Sequence, residues 1–128
     1  MTEPLQQTVL VVTDDHPMTS EIAYAFPDEV TVSFAEDARE ALQLMRETTP
    51  SVVIMDIRTG SAGGYGLSRD MAADDRLRDV PRFILLERRE DSWLAKQAGA
   101  TLSRVTPVSK EELVEEALAL TSGRSLSH

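Results

Sequence analysis

The sequence predicts a doubly wound, three-layer (βα)5 domain of the α/β class, with a parallel five-stranded sheet between two layers of helices. Two observations carry this prediction. Val52-Val53-Ile54-Met55-Asp56-Ile57 is a short, largely β-branched apolar run that meets a carboxylate near its end, the pattern of a strand buried on both faces of a parallel sheet. Val9-Leu10-Val11-Val12-Thr13 ends the same way in Asp14-Asp15. Strand-like segments then alternate with helical ones five times, which requires parallel pairing with right-handed crossovers.

The 128 residues, 41% hydrophobic and 27% charged, suit one domain with its own core. No apolar run approaches the ~20 residues of a membrane helix, and the first residues lack the basic and apolar regions of a signal peptide. A cytoplasmic location is expected. The absence of cysteine excludes disulfides, thiolate catalysis and Cys-based zinc sites. A formal net charge of −9 argues against nucleic-acid binding through phosphate neutralisation.

In chain order, residues 1–7 read as a flexible tail, 8–121 as the domain and 122–128 as a second flexible tail. The first strand covers 8–13. Pro17 suits the first turn of a helix, where its missing N–H is not needed; Met18, Ile22 and Ala25 continue that helix to about Phe26. Residues 30–34 alternate apolar and polar as a half-exposed strand. Ala38, Ala41, Leu42 and Met45 form a helical stripe, with Asp37 near its start and Arg46 near its end.

After the central strand, 58–66 hold four glycines in nine residues and read as a loop. A short helix over 67–73 follows, then a fourth strand over 80–86 with Pro81 at its beginning. Asp91 or Ser92 caps a helix running through Ala98 and closed by Gly99. The fifth strand covers 101–105. Ser109 and Glu112 form a capping box, each satisfying one backbone N–H, before a last helix with Leu113, Ala117 and Leu120 on its buried stripe and Val114 and Leu118 beside it.

Strands one and three end on the same edge of such a sheet, where open α/β folds place their ligands. Asp14, Asp15 and Asp56 are thereby expected to converge. Without a cation they repel by roughly 4 kcal/mol per pair at about 4 Å and an effective dielectric near 20, so the cluster points to a hard divalent cation or to protonation. A carboxylate beside such a metal can attack a phosphoryl group. The bland alternative is that Asp14 or Asp15 caps the first helix and Asp56 is a solvated strand end.

With these residues in view, the sequence resembles the receiver domain of two-component response regulators. Val-Val-Thr-Asp14-Asp15-His-Pro, Val-Val-Ile-Met-Asp56, Val80-Pro81, Ala98-Gly99-Ala100 and Pro107 carry the resemblance from Val9 to about Leu120. It implies a flavodoxin-like sheet of order 2-1-3-4-5 and a signalling module rather than an enzyme. It also implies Asp56 as phosphoacceptor, with Mg²⁺ held by Asp14, Asp15, Asp56 and the backbone carbonyl of Arg58. A histidine kinase or other signalling protein is the implied partner. Contacts run through the face of the fourth helix, fifth strand and fifth helix, with the chain as a monomer or a homodimer through that face. No direct contact with nucleic acid or membrane is expected.

Three positions depart from the family pattern. The hydroxyl residue at the end of strand four is replaced by Leu86, or by Glu87 if the strand is shifted. Thr106 stands where the lysine before the proline is expected, and Ser103 where the switch aromatic is expected. Arg88 or Arg89 is a candidate replacement cation and Thr106 a candidate replacement hydroxyl. The chain therefore reads as an atypical, pseudo-receiver-like domain without a DNA-binding output domain. A phosphorylation-independent interaction module is the first alternative. A small metal-dependent phosphatase or a flavodoxin-like carrier is the second, disfavoured by the Asp-Asp-His-Pro that follows strand one. Trp93 reads as partly buried against a neighbouring helix, or else as a partner contact. His16 reads as a loop residue near the acids, and Met45, Met55 and Met71 as core.

Overall fold

Residues 7–56 and 64–121 are described in the computed structural model. The tail positions 1–6 and 122–128 and the loop positions 57–63, Arg58 among them, lie outside the described residues. Strands β1 (Gln7–Val12), β2 (Val30–Ala35), β3 (Val52–Asp56), β4 (Arg82–Leu86) and β5 (Leu102–Val105) are joined by α1 (His16–Ala23), α2 (Ala38–Glu47), α3 (Gly64–Ala72) and α4 (Ser92–Gln97), and α5 (Lys110–Thr121) closes the order. All strand pairs are parallel, in the order β2-β1-β3-β4-β5.

The three layers follow from side-chain alternation along the strands. Leu10, Val12, Val53, Met55, Ile84 and Leu86 pack on one face against Ala41 and Met45 of α2, Leu67 and Met71 of α3 and Ala95 of α4. Val9, Val11, Val52, Ile54, Phe83 and Leu85 pack on the other against Ile22 of α1 and Leu113, Ala117 and Leu120 of α5. β3 is buried at every position, as its uninterrupted apolar run requires. Met45, Met55 and Met71 are fully buried.

Element ends shift for local reasons. α1 stops at Ala23, short of Phe26, because the chain turns there, with the Ala25 N–H donating to the Ile22 carbonyl at 3.0 Å. Phe26 still reaches the core, which is why its apolarity looks like a continuation of the helix. β4 starts at Arg82, one residue past Pro81, which can offer the sheet only its carbonyl, and that carbonyl accepts from the Val53 N–H at 3.0 Å. α3 begins at Gly64, earlier than its apolar residues indicate. A 3-10 turn over Arg89–Asp91 leads into α4, and Asp91 makes no capping bond.

Gly99 closes α4 with φ 96°, a left-handed conformation that a Cβ disfavours. The Gly99 N–H donates to the Lys96 carbonyl and the Ala100 N–H to the Ala95 carbonyl, both at 3.0 Å, the paired bonds of a Schellman motif. Before α5, Ser109 Oγ accepts from the Glu112 N–H at 3.1 Å. The return contact differs from the expected box: Glu112 Oε1 meets the Ser109 hydroxyl at 3.3 Å.

The sequence gives no hint that Arg82 is buried at the foot of β4. Its guanidinium donates to the carbonyls of Gly99 at 3.1 Å, Ser68 at 3.2 Å and Arg78 at 3.3 Å. Burial pushes this group below its ordinary pKa, an effect that Asp79 partly offsets. The bonds tie α3, the turn before β4 and the end of α4 together on the edge opposite the acidic residues.

Candidate functional site

Asp56 is the last residue of β3 and only 2% exposed. A buried carboxylate must be hydrogen-bonded to be tolerated, and the register of β1 against β3 supplies a partner. Val9 lies beside Val52, and the pairing continues to Val12 beside Met55. One further step brings Thr13 alongside Asp56, on the face toward α1 and α5. The Thr13 hydroxyl, itself 1% exposed, donates to Asp56 Oδ2 at 2.9 Å.

Thr13 Oγ1 also accepts from the Asp15 N–H at 3.1 Å, and the Thr13 N–H donates to the Ala35 carbonyl at 2.9 Å. The hydroxyl thus connects the loop after β1 to the carboxylate at the end of β3. Thr13 was not among the residues singled out from sequence. The signal available was a hydroxyl at the end of one apolar run and a carboxylate at the end of the other, which become neighbours only once the register is known.

Asp15 is the N-cap of α1, its Oδ1 accepting from the Met18 N–H at 3.2 Å. The capping role weighed for this residue is therefore present in the fold. Asp14 is exposed. His16 turns away along the surface, its Nε2 3.4 Å from Glu36 Oε2 at the end of β2. Among the described residues, no three His, Cys, Asp or Glu side chains form a metal-holding group. The oxygen-only donors Asp14, Asp15 and Asp56 fit Mg²⁺ in kind, and the loop carrying Arg58 lies outside the described residues.

The residues expected to depart from the family pattern have separate surroundings. Leu86 is buried in the cluster toward α2, α3 and α4, and Glu87 is exposed. Thr106 donates to the Leu86 carbonyl through its N–H at 2.8 Å and its hydroxyl at 3.0 Å. The Arg88 guanidinium bonds Asp91 Oδ1 at 3.3 Å, and this contact holds its pKa above the ordinary value. Arg89 is exposed in the 3-10 turn. Ser103 is half-buried in a groove shared with Trp93 and Lys96.

A groove of about 280 Å³ opens beside Asp15, lined by Met18 and Ile22 of α1, Thr106 and Pro107, and Lys110 of α5. On α4 and β5, Trp93 (61% exposed), Leu94 and Val105 are apolar residues open to solvent. Trp93 is thus far more exposed than partial burial against a helix would leave it. No helix of the described residues is long and apolar enough to cross a membrane.

Comparison with known proteins agrees with this geometry. The family model for the response regulator receiver domain matches residues 9–118. The chain is 25% identical over 125 residues to the transcriptional regulatory protein DegU of Brevibacillus brevis, covering 93% of this chain and 52% of that protein. It thus spans about half the length of that relative. Among solved structures, a two-component response regulator of the LuxR family from Aurantimonas sp. SI85-9A1 is 29% identical, with a TM-score of 0.76, covering 94% of this chain and 89% of that one. The chemotaxis response regulator CheY4 of Vibrio cholerae is similar in fold, with a TM-score of 0.82 at 23% identity, over 91% of this chain and 99% of that one. With a parallel sheet of order 2-1-3-4-5, acids at the ends of β1 and β3 and a family match over most of its length, this chain belongs to the response regulator receiver domains of two-component signalling.

Proposed function

We propose that this receiver domain is an atypical one that takes a phosphoryl group on Asp56 and signals through protein contacts. The observation that carries the reading is Asp56 itself, buried at the end of β3 and hydrogen-bonded to Thr13, beside the loop that presents Asp14 and Asp15. In the reaction, an Asp56 carboxylate oxygen attacks phosphorus, and the bond from phosphorus to the donor breaks. The donor is a histidine kinase phosphohistidine or a small acyl phosphate.

Asp14, Asp15, Asp56 and the Arg58 carbonyl would hold Mg²⁺, which when bound neutralises charge on the phosphoryl oxygens. Output runs through α4, β5 and α5, a face supported by the exposed Trp93, Leu94 and Val105.

A second reading, a binding module that works without phosphorylation, is favoured by Leu86 and Thr106. One is packed in the core and the other is bonded to its carbonyl, so neither offers a phosphoryl group the contacts expected in this family.

Thermal unfolding with Mg²⁺, and then with beryllofluoride added, separates the two readings. The phosphoacceptor reading predicts stabilisation by Mg²⁺, about 2.7 kcal/mol at a hundredfold excess over Kd, a further rise with beryllofluoride, and loss of both in Asp56→Asn. No response to either ligand would leave the phosphorylation-independent module.

A further inference from the structure

We infer that Thr13 is a positioning residue that restrains phosphorylation of Asp56 by favouring its unphosphorylated carboxylate; this rests on Asp56 being the acceptor. The direction of the hydrogen bond is set by its surroundings. Thr13 Oγ1 accepts from the Asp15 N–H at 3.1 Å, so its own proton points to Asp56 Oδ2 at 2.9 Å. Both side chains are almost fully buried, so water does not compete freely for the contact. A hydroxyl that accepts one bond while donating another is polarised into a better donor.

A hydrogen bond to a charged carboxylate is roughly twice as strong as one to a neutral acceptor. When Asp56 attacks an acyl phosphate, its new bond to phosphorus forms while the donor's bond to phosphorus breaks and the carboxylate of the donor leaves with the electron pair. The Asp56 carboxyl becomes one half of a mixed anhydride, and its remaining oxygen loses most of its negative charge. The Thr13 bond therefore weakens as the product forms. In hydrolysis the carboxylate charge returns, and the same bond then aids its departure from phosphorus. Thr13 slows addition and speeds removal. It acts from the end of β1, on the opposite side of Asp56 from β4, where the family hydroxyl is replaced by Leu86.

The test compares wild type, Thr13→Val, Thr13→Ala and Thr13→Ser, each treated with acetyl phosphate and Mg²⁺. Phospho-Asp56 is followed by intact mass and located by peptide mapping. Thr13→Val keeps the shape and removes the hydroxyl, and Thr13→Ala repeats the loss should valine disturb folding. Both are expected to phosphorylate faster and hydrolyse more slowly, the ratio of the two rate constants rising about fivefold, while Thr13→Ser stays near wild type. Label in the valine or alanine variant but none in wild type would support the same conclusion. Equal ratios in all four proteins, with Asp56 labelled, would overturn the role of Thr13 alone. No label on Asp56 in any of them would overturn the acceptor reading and, with it, this inference.

Discussion

Thr106 closes on Leu86 twice, its N–H and its hydroxyl both donating to the same carbonyl at 2.8 and 3.0 Å. Two of the positions that the sequence resemblance marks as departures are thus joined to each other, fastening the end of β4 to the segment after β5. Thr106→Val removes one of these bonds and keeps the shape, so it should cost about 1 kcal/mol of stability. The urea midpoint should fall with the slope of the transition unchanged.

The buried guanidinium of Arg82 is expected to matter more. Arg82→Met keeps the apolar stem and withdraws the donors from the Gly99, Ser68 and Arg78 carbonyls. A loss of roughly 2–4 kcal/mol is expected in equilibrium unfolding. Arg82→Lys should recover only part of it, because one ammonium cannot reproduce the fork that reaches three separate carbonyls.

Gly99→Ala places a Cβ at φ 96°, about 3.4 Å from the Arg82 guanidinium. The backbone conformation alone should cost about 1–2 kcal/mol, read as a lowered melting temperature. Combined with Arg82→Met, the two losses should fall short of additivity, because the side chain nearest the new methyl is then gone.

Asp15 holds the first turn of α1 through the Met18 N–H. Asp15→Ala should lose about 1 kcal/mol in metal-free buffer, and Asp15→Asn, which can still cap, much less. In Mg²⁺ the asparagine variant should fall behind wild type as well, since it keeps the cap and loses the charge. The comparison separates the two roles of this residue by unfolding measurements alone.

The sheet was legible because β3 and β4 are apolar apart from Asp56 and Arg82, and the carboxylates mark the ends of β1 and β3. Pro81 and Gly99 punctuate the chain for local steric reasons that sequence displays directly. Contacts that depend on register were not legible. Thr13 and Asp56 lie 43 residues apart and become neighbours only through the pairing of β1 with β3. Arg82 reads as a charge inside a strand until the carbonyls that receive it are placed around it. Trp93 was expected against a helix, yet α4 is short and begins from a 3-10 turn that leaves the indole outward.

The central claim is that Asp56 receives the phosphoryl group, and residue-level mapping after acetyl phosphate treatment in Mg²⁺ tests it most directly. The account predicts one phosphoryl group per chain, on the peptide containing Asp56, absent from Asp56→Asn and sharply reduced when the metal is chelated. Equal labelling of wild type and Asp56→Asn, or a folded wild-type protein that takes no label, would contradict it.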